Sequence, residues 1–468
     1  MNTLYKNIIW SFLLMCILIA CDDVLETEPN DRVSNERAVS DFESAEATLL
    51  GAYDRLRRVD YYQRDFIVIA DGLADNIRQT INNTSRLNGI SQNQPYAHFT
   101  FWQNAYETIN SANFVIEGVD NLPDATEDQK KQLKGEALFL RALAHFDLVR
   151  AYARNPNHLV GEPLGIPIIT NPSDIFALPA RNSIDQVYQH IITSLTNAFD
   201  LIGVTTGVSN RASKVAVQGL LSRIYLYQKD WENSIIAANY VIQNVGFDIE
   251  TDDYSSIFSE ASETIFGLSY SDIENPGLNG SLQGLFYIDT NTGIGYGDFV
   301  VRDDLYSLHE TDDIRLNLYV PAIKSGENVN FIGKYLGYQG AFGLDNIPLL
   351  RLSEIFLNRA EALAENNDLS GAINDLNKIR NRAGLPNESV GSKEEIINAV
   401  LKERRIELAF EGHRIFDLKR RGLDISKGIL NIDCTQECNI SYEDFRVLAN
   451  IPVSETDVND NLIQNPGY

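Results

Sequence analysis

Two segments of the chain carry one pattern. In LLSRIYLYQKDWENSIIAANYVI, residues 220–242, and in EIFLNRAEALAENNDLSGAINDLNKIR, residues 354–380, apolar side chains recur at helical spacing on both sides of a short polar turn. Laying Asp230 on Asp368 places Trp231 on Leu369, Ser234 on Ala372 and Ile235 on Ile373. Each segment therefore predicts a helix, a polar turn carrying Asp, and a second helix whose small residues face the first. Neither helix of such a pair buries its apolar face alone. The chain must stack pairs to make a core, and at 44% hydrophobic residues it has the material to do so.

These pairs resemble the tetratricopeptide unit. Residues 243–353 separate them, so a continuous tandem array is excluded and helical hairpins dispersed through a larger domain fit better. Other helices are legible. Thr126 and Gln129 occupy capping-box positions ahead of Leu133, Ala137, Leu140, Ala144 and Leu148, and Ala45, Leu49, Ala52 and Leu56 form an earlier stripe. Residues 246–346 differ: rich in Gly, Asn, Asp, Ser and Tyr, they lack a sustained helical period and predict loops with short strands mounted on the helical frame. The expected fold is mainly α, with tetratricopeptide-like helical hairpins forming an α superhelix and an irregular loop-rich segment containing short strands.

The first residues bear on location. Lys6 precedes an apolar run from Ile8 to Ala20, broken by Ser11 and Cys16 and ending in Leu18-Ile19-Ala20-Cys21. The run is too short to cross a bilayer, which needs roughly 20 residues. Its charge and small-residue flanks predict a secretory signal over 1–20. The Leu-Ile-Ala-Cys order resembles the bacterial lipobox, in which Cys21 is lipidated; residues 21–40 would then be a lipid-anchored tether. With Cys16 removed and Cys21 acylated, Cys434 and Cys438 are left as a pair, for which the sequence favours a local disulfide over free thiols or a metal site.

The net charge of −26, from 39 Lys plus Arg against 65 Asp plus Glu, argues against nucleic-acid binding, which needs cationic surface. Motifs for metalloprotease, phosphate-loop, nucleophile-elbow and dinucleotide chemistry do not occur, and no cofactor is expected. Asp289 and Asn291 begin like a calcium loop, but Gly293 and Val300 stand where ligands belong, so no metal site is predicted. Two carboxylates of a glycosidase could still hide among 65 acids.

The stretch ERRIELAFEGHRIFDLKRRG, residues 403–422, sets charges among apolar side chains. Ser392 and Glu395 can cap a helix whose buried stripe includes Ile397, Val400, Leu401 and Leu408, with Arg404 and Glu411 on the same stripe. A charge aimed at a core needs partners. The expectation is an ionic latch of Arg404, Glu407, Glu411, Arg414 and Asp417 at a helix junction, with Gly412 permitting the turn.

Taken in order, EALFLRALAHFDLVRAYA, GIPIIT, RNSIDQVYQHIITSL, LLRLSEIFLNRAEALAE, NKIRNRAGLP, ERRIELAFEGHRIFDLKRRG and IPVSETDVNDNLIQNPGY resemble the SusD/RagB family of Bacteroidetes outer-membrane lipoproteins. Ile415 and Asp460 depart from an aromatic and a proline usual there. The resemblance implies an N-terminal helical part over 41–245 and a C-terminal SusD/RagB part over 347–468, packed as one unit around the variable segment 246–346. It further implies a non-catalytic, surface-facing nutrient-binding protein seated on a SusC-like TonB-dependent transporter, its ligand often a glycan held by aromatic platforms on variable loops.

No family motif marks those ligand contacts, so chemistry ranks them: sugar C–H faces stack on aromatic rings, and hydroxyls need Asp, Asn or Arg at the rim. The candidates are Tyr61, Tyr62, Asp71, Asn76, Tyr96, Tyr287, Tyr296, Phe299 and Arg302, while Trp102 and Trp231 fall at packing positions. The acidic surface favours neutral over anionic glycans, unless a local patch reverses it. A surface glycoside hydrolase and a helical-repeat assembly lipoprotein without a small ligand remain alternatives.

Overall fold

The computed structural model describes residues 39–172, 177–203, 209–249, 254–337, 340–389, 391–427 and 439–468. The signal, Cys21, Cys434 and Cys438 lie outside the described residues. Among the described residues no helix is long and apolar enough to cross a membrane.

Eleven helices carry the frame: α1 Phe42–Leu56, α2 Asp65–Gly72, α3 Trp102–Gly118, α4 Glu127–Tyr152, α5 Ile184–Leu201, α6 Lys214–Gln228, α7 Trp231–Asn244, α8 Leu352–Glu365, α9 Leu369–Arg382, α10 Lys393–Glu407 and α11 Arg414–Arg421. Their starts are written locally. The capping boxes at Thr126/Gln129 and Ser392/Glu395 are both formed, and Ser183 with Gln186 makes a third ahead of α5. Helices from α3 onward pack on their successors through α9, with α1 against α3 and α10 against α8, which is the superhelical stack that the hairpin pattern requires.

The two patterned segments are α6–α7 and α8–α9. Their turns match closely: Lys229 and Asn367 both take left-handed backbone (φ 59° and 68°), and Asp230 and Asp368 follow at φ/ψ of −84°/77° and −88°/78°. Each Asp accepts the N–H three residues on, from Asn233 and Gly371, and so opens the second helix. Although residues 245–351 intervene, α7 packs directly on α8. Ser234, small enough for close approach, donates to the Ser222 carbonyl (3.0 Å) across the first pair.

Among the described residues the intervening segment supplies most of the strands, in three two-stranded antiparallel sheets: β1 (Ile77–Gln79) pairs β3 (Phe299–Val301), β2 (Thr264–Leu268) pairs β6 (Ile347–Arg351), and β4 (Tyr319–Lys324) pairs β5 (Glu327–Ile332). Ser325 and Gly326, both at positive φ, close the β4–β5 hairpin. β6 runs directly into α8, so the variable segment is tied to the frame at a fixed point.

The ionic stretch differs from the expected latch. Arg404 does bind Asp417, its Nε lying 2.9 Å from both carboxylate oxygens. The other three reach outside the stretch. Glu407 binds Arg351, Arg382 and Arg315; Glu411 binds Arg351 and Lys334; Arg414 binds Asp75. The cause is the junction itself, where Phe410 and Gly412 both have positive φ (67° and 81°) and the chain turns between α10 and α11. The latch therefore clamps α10 and α11 to β6, α9 and the end of α2, rather than only to each other.

Candidate functional site

On one face of the frame, three connections from different parts of the chain meet. Residues 80–97 leave β1, residues 277–298 lead into β3, and the β4–β5 turn lies beside them. Lys324 staples all three: its Nζ donates to Thr80 Oγ1 (2.9 Å) and to the carbonyls of Tyr296 (2.7 Å) and Gly297 (2.9 Å). Asn82 Nδ2 donates to Ser325 Oγ (3.0 Å), and the Thr84 N–H and hydroxyl both donate to the buried Asp298 carboxylate.

Asn279 is the hub. Its Oδ1 accepts from Arg86 Nη2 (2.7 Å) and from the Tyr296 hydroxyl (2.6 Å), and its carbonyl accepts from Arg64 Nη1. The Arg86 guanidinium lies over the Tyr296 ring, 4.3 Å from its centre. Backbone strain gathers here as well. Ser85, Leu87, Asn93 and Tyr96 account for four of the nine non-glycine residues with positive φ among those described. Each costs roughly 1 kcal/mol or more and persists only where surroundings over-determine it, a pattern that clusters at functional sites. Beside this set a polar cavity of about 370 Å³ is lined by Arg78, Ile81, Asp303, Ser325, Gly326, Glu327 and Asn328.

The structure reassigns most of the residues expected to touch ligand. Tyr61 and Tyr62 are buried in the frame, where both hydroxyls donate to Asp147 and Tyr61 stacks between Tyr62 and Phe101. Asp71 is buried; it accepts from Asn76 Nδ2 (2.6 Å) and from the N–H groups of Phe410 and Gly412, and burial pushes its pKa up to about 6. Asn76 is buried between Asp71 and Arg405. Phe299 is a core residue of β3, and Arg302 is buried with its Nε at 3.2 Å from Asp304 and a second bond to the Lys427 carbonyl. These side chains satisfy one another inside the protein, so none of these six presents a surface to a ligand.

Three candidates remain at the surface. Tyr96 is 60% exposed and edge-on to Tyr468 at 5.2 Å. Tyr296 is half-buried, one ring face covered by Arg86, and Tyr287 is half-buried against Phe331. Trp102 is buried, packing on Tyr106 and Tyr152. A larger groove of about 560 Å³ runs past Trp102 between α3 and residues Glu455, Val458, Asn459 and Leu462, on the frame and away from the variable segment. Asp289 closes its own turn by accepting the N–H groups of Asn291 and Thr292, and among the described residues no His/Cys/Asp/Glu cluster could hold a metal ion.

Sequence reasoning missed Arg86, Asn279, Thr84 and Asn82. The available signal was the density of turn formers in NNTSRLNG, residues 82–89, and ENPGLNGS, residues 274–281.

Residues 334–468 match the SusD family model, and residues 23–226 match a model described as starch-binding, associating with outer membrane. A solved structure from Bacteroides vulgatus ATCC 8482 is 30% identical, with a TM-score of 0.81 over 92% of this chain and 99% of that one. The chain belongs to the SusD family. A SusD superfamily protein from Bacteroides thetaiotaomicron VPI-5482 superposes with a TM-score of 0.82 at 26% identity, over 91% of this chain and all of that one. Starch-binding protein SusD of Bacteroides thetaiotaomicron is 32% identical over 133 residues, covering 26% of this chain and 22% of that protein. Between the two matched stretches of this SusD-family chain lie residues 227–333, which hold Asn279, Tyr296 and the β4–β5 turn.

Proposed function

We propose that this SusD-family protein binds a saccharide on the face built from residues 79–86, 279–297 and 323–328 and passes it to a SusC-like TonB-dependent transporter without breaking bonds itself. The observation that carries this reading is the Arg86–Asn279–Tyr296–Thr84 set. Amide, hydroxyl and guanidinium groups converge from separate loops onto a rigid frame, the arrangement that fixes the orientation of a hydroxyl-rich ligand. Matches to proteins named for starch and outer-membrane association support the ligand class and the location. Acylation of Cys21 would hold the molecule at the outer membrane facing outward, since two or more acyl chains anchor stably, and a Cys434–Cys438 disulfide would suit that oxidising setting.

A hydrolytic role finds little support at this face. Glycoside hydrolysis needs two carboxylates flanking the scissile bond. Of the carboxylates at this face, Asp298 is buried against Thr84, Glu327 is bound to Arg78 and the Ile81 N–H, and Asp289 accepts the Asn291 and Thr292 N–H groups, while Asp303 lines the cavity.

The test is calorimetric titration of the purified protein with a panel of oligosaccharides, with products analysed in parallel. Binding of one or more saccharides that weakens at least tenfold in Asn279→Ala, with no product release, is expected. Saccharide cleavage, or no binding across the panel, overturns the proposal. Replacing Cys21 by Ala is expected to move the protein from the membrane to the soluble extracytoplasmic fraction.

A further inference from the structure

The geometry points to a ligand that carries an oxyanion, a carboxylate or sulfate borne on the saccharide, received by Arg86. This rests on the saccharide-binding reading above and names the substrate class within it.

Arg86 differs from most arginines of the described residues, and from Arg141, Arg154 and Arg181, which also lack a carboxylate, in standing on the loop face. The net charge is −26, and most of the frame's arginines are matched to carboxylates, as Arg351, Arg382, Arg404, Arg414 and Arg420 are. Arg86 is half-buried at the surface and has no carboxylate within ion-pair distance among the described residues. Its hydrogen bonds go to neutral acceptors, Thr84 Oγ1 at 2.9 Å and Asn279 Oδ1 at 2.7 Å.

Those bonds and the Tyr296 ring beneath fix the plane of the guanidinium. A guanidinium carries five N–H donors in a fixed fork, so donors remain after the two bonds to protein. The backbone is strained on either side of this residue, with Ser85 at φ 60° and Leu87 at φ 49°. A solvated surface arginine needs neither a clamp nor strained neighbours. A planar fork held in one orientation is what bidentate recognition of a carboxylate or sulfate requires.

The other cations of the face are matched. Lys324 lies 3.9 Å from Asp298 and is also near Glu327, and Asp298 is one hydroxyl removed from Arg86 through Thr84. Arg64 adjoins the same Asn279 but is paired with Asp65. Lys324, Arg64 and Arg78 each have a carboxylate partner where the loops converge, and Arg86 has none among the described residues.

The experiment compares three oligosaccharides of equal length by calorimetry on the intact protein: oligogalacturonate, a sulfated galactan fragment and the unsubstituted galactan fragment, each at low salt and at about 0.5 M NaCl, where screening acts within a few ångströms. One charged ligand is expected to bind about 10-fold or more tighter than the neutral one, the worth of a charge-assisted hydrogen bond. The preferred arm identifies the oxyanion. The advantage is expected to shrink at high salt, to vanish in Arg86→Ala and to survive in part in Arg86→Lys, with thermal melting confirming that both variants fold. Neutral galactan bound as tightly as both charged ligands, or a charged-ligand preference unchanged in Arg86→Ala, overturns the inference while leaving saccharide binding intact. Failure of all three ligands, together with failure of the wider panel, removes the underlying function as well. Should the variants not fold, the salt dependence of the wild-type preference decides alone: equal affinities at both salt levels overturn the inference.

Discussion

Glu407→Gln should be among the most destabilising isosteric changes in this protein. Glu407 is fully buried, and its carboxylate receives Arg351 Nη1 and Arg382 Nη2, both at 2.6 Å, and Arg315 Nη1 at 3.1 Å. Burial alone would raise its pKa, but Arg382, Arg351 and Arg315 outweigh burial and hold it below the usual carboxylate range. In the surrounding network Arg315, Lys334, Arg351, Arg380 and Arg382 face Asp313, Glu263, Glu403, Glu407 and Glu411. Gln keeps the shape but removes one charge, leaving a buried cation uncompensated and turning an amide N–H₂ toward a guanidinium. Breaking a buried pair in this way costs about 3–5 kcal/mol. Unfolding entropy scales with chain length, so for a protein of this size that is a fall of about 3–5 °C in Tm.

Thermal melting and urea unfolding of both proteins measure the effect, with Asp54→Asn as the control. Its pair with Arg58 is about half exposed on both sides (48% and 49%) and should contribute under about 1 kcal/mol. The folded pKa of Glu407 is depressed, so its contribution is complete above about pH 4.5 and is lost as pH falls through the folded value. The gap between wild type and Glu407→Gln should accordingly stay constant from neutral pH down to about 5 and narrow in stronger acid. A Tm within about 1 °C of wild type at neutral pH, or a loss no larger than that of Asp54→Asn, would refute the reasoning.

Other outcomes follow from particular contacts. Burial pushes the Asp345 carboxyl up to about 6, although one of its oxygens takes the Gly337 N–H. The folded state then binds more protons than the unfolded state between about pH 4 and 6, so stability falls as pH rises through that window; Asp345→Asn should raise Tm at pH 8 by more than at pH 5. Gly422 ends α11 at φ 65° with its hydrogen facing the His158 ring. Gly422→Ala should lower stability by roughly 1–3 kcal/mol in urea unfolding, from left-handed strain plus the clash. Tyr62→Phe removes a hydroxyl from the Asp147 carboxylate and should cost about 1.5–3 kcal/mol while leaving saccharide affinity unchanged, because the residue is buried in the frame.

What the sequence by itself determined was local. Helical period, the capping boxes at Thr126 and Ser392, the recurring Asp turn at 230 and 368, and the switch to turn-forming residues after 245 are set by neighbours within about one helical turn, and each was legible without coordinates. The stacking of helical pairs followed because an amphipathic hairpin has nowhere else to put its apolar face.

Tertiary structure alone decided which polar and aromatic side chains meet. Tyr61 and Tyr62 have the composition of a sugar platform, yet they are interior because Asp147, a helix away in α4, takes their hydroxyls. Arg404 found a partner nearby, at Asp417, whereas Glu407 bonds Arg315, Arg351 and Arg382, which lie far from it along the chain. Arg86, Asn279 and Tyr296 come together only because β1 pairs with β3 and Lys324 pins the loops between them. Periodicity reports what a residue does with its chain neighbours; the partner of a buried charge or hydroxyl is chosen by packing between distant segments, which no local pattern encodes.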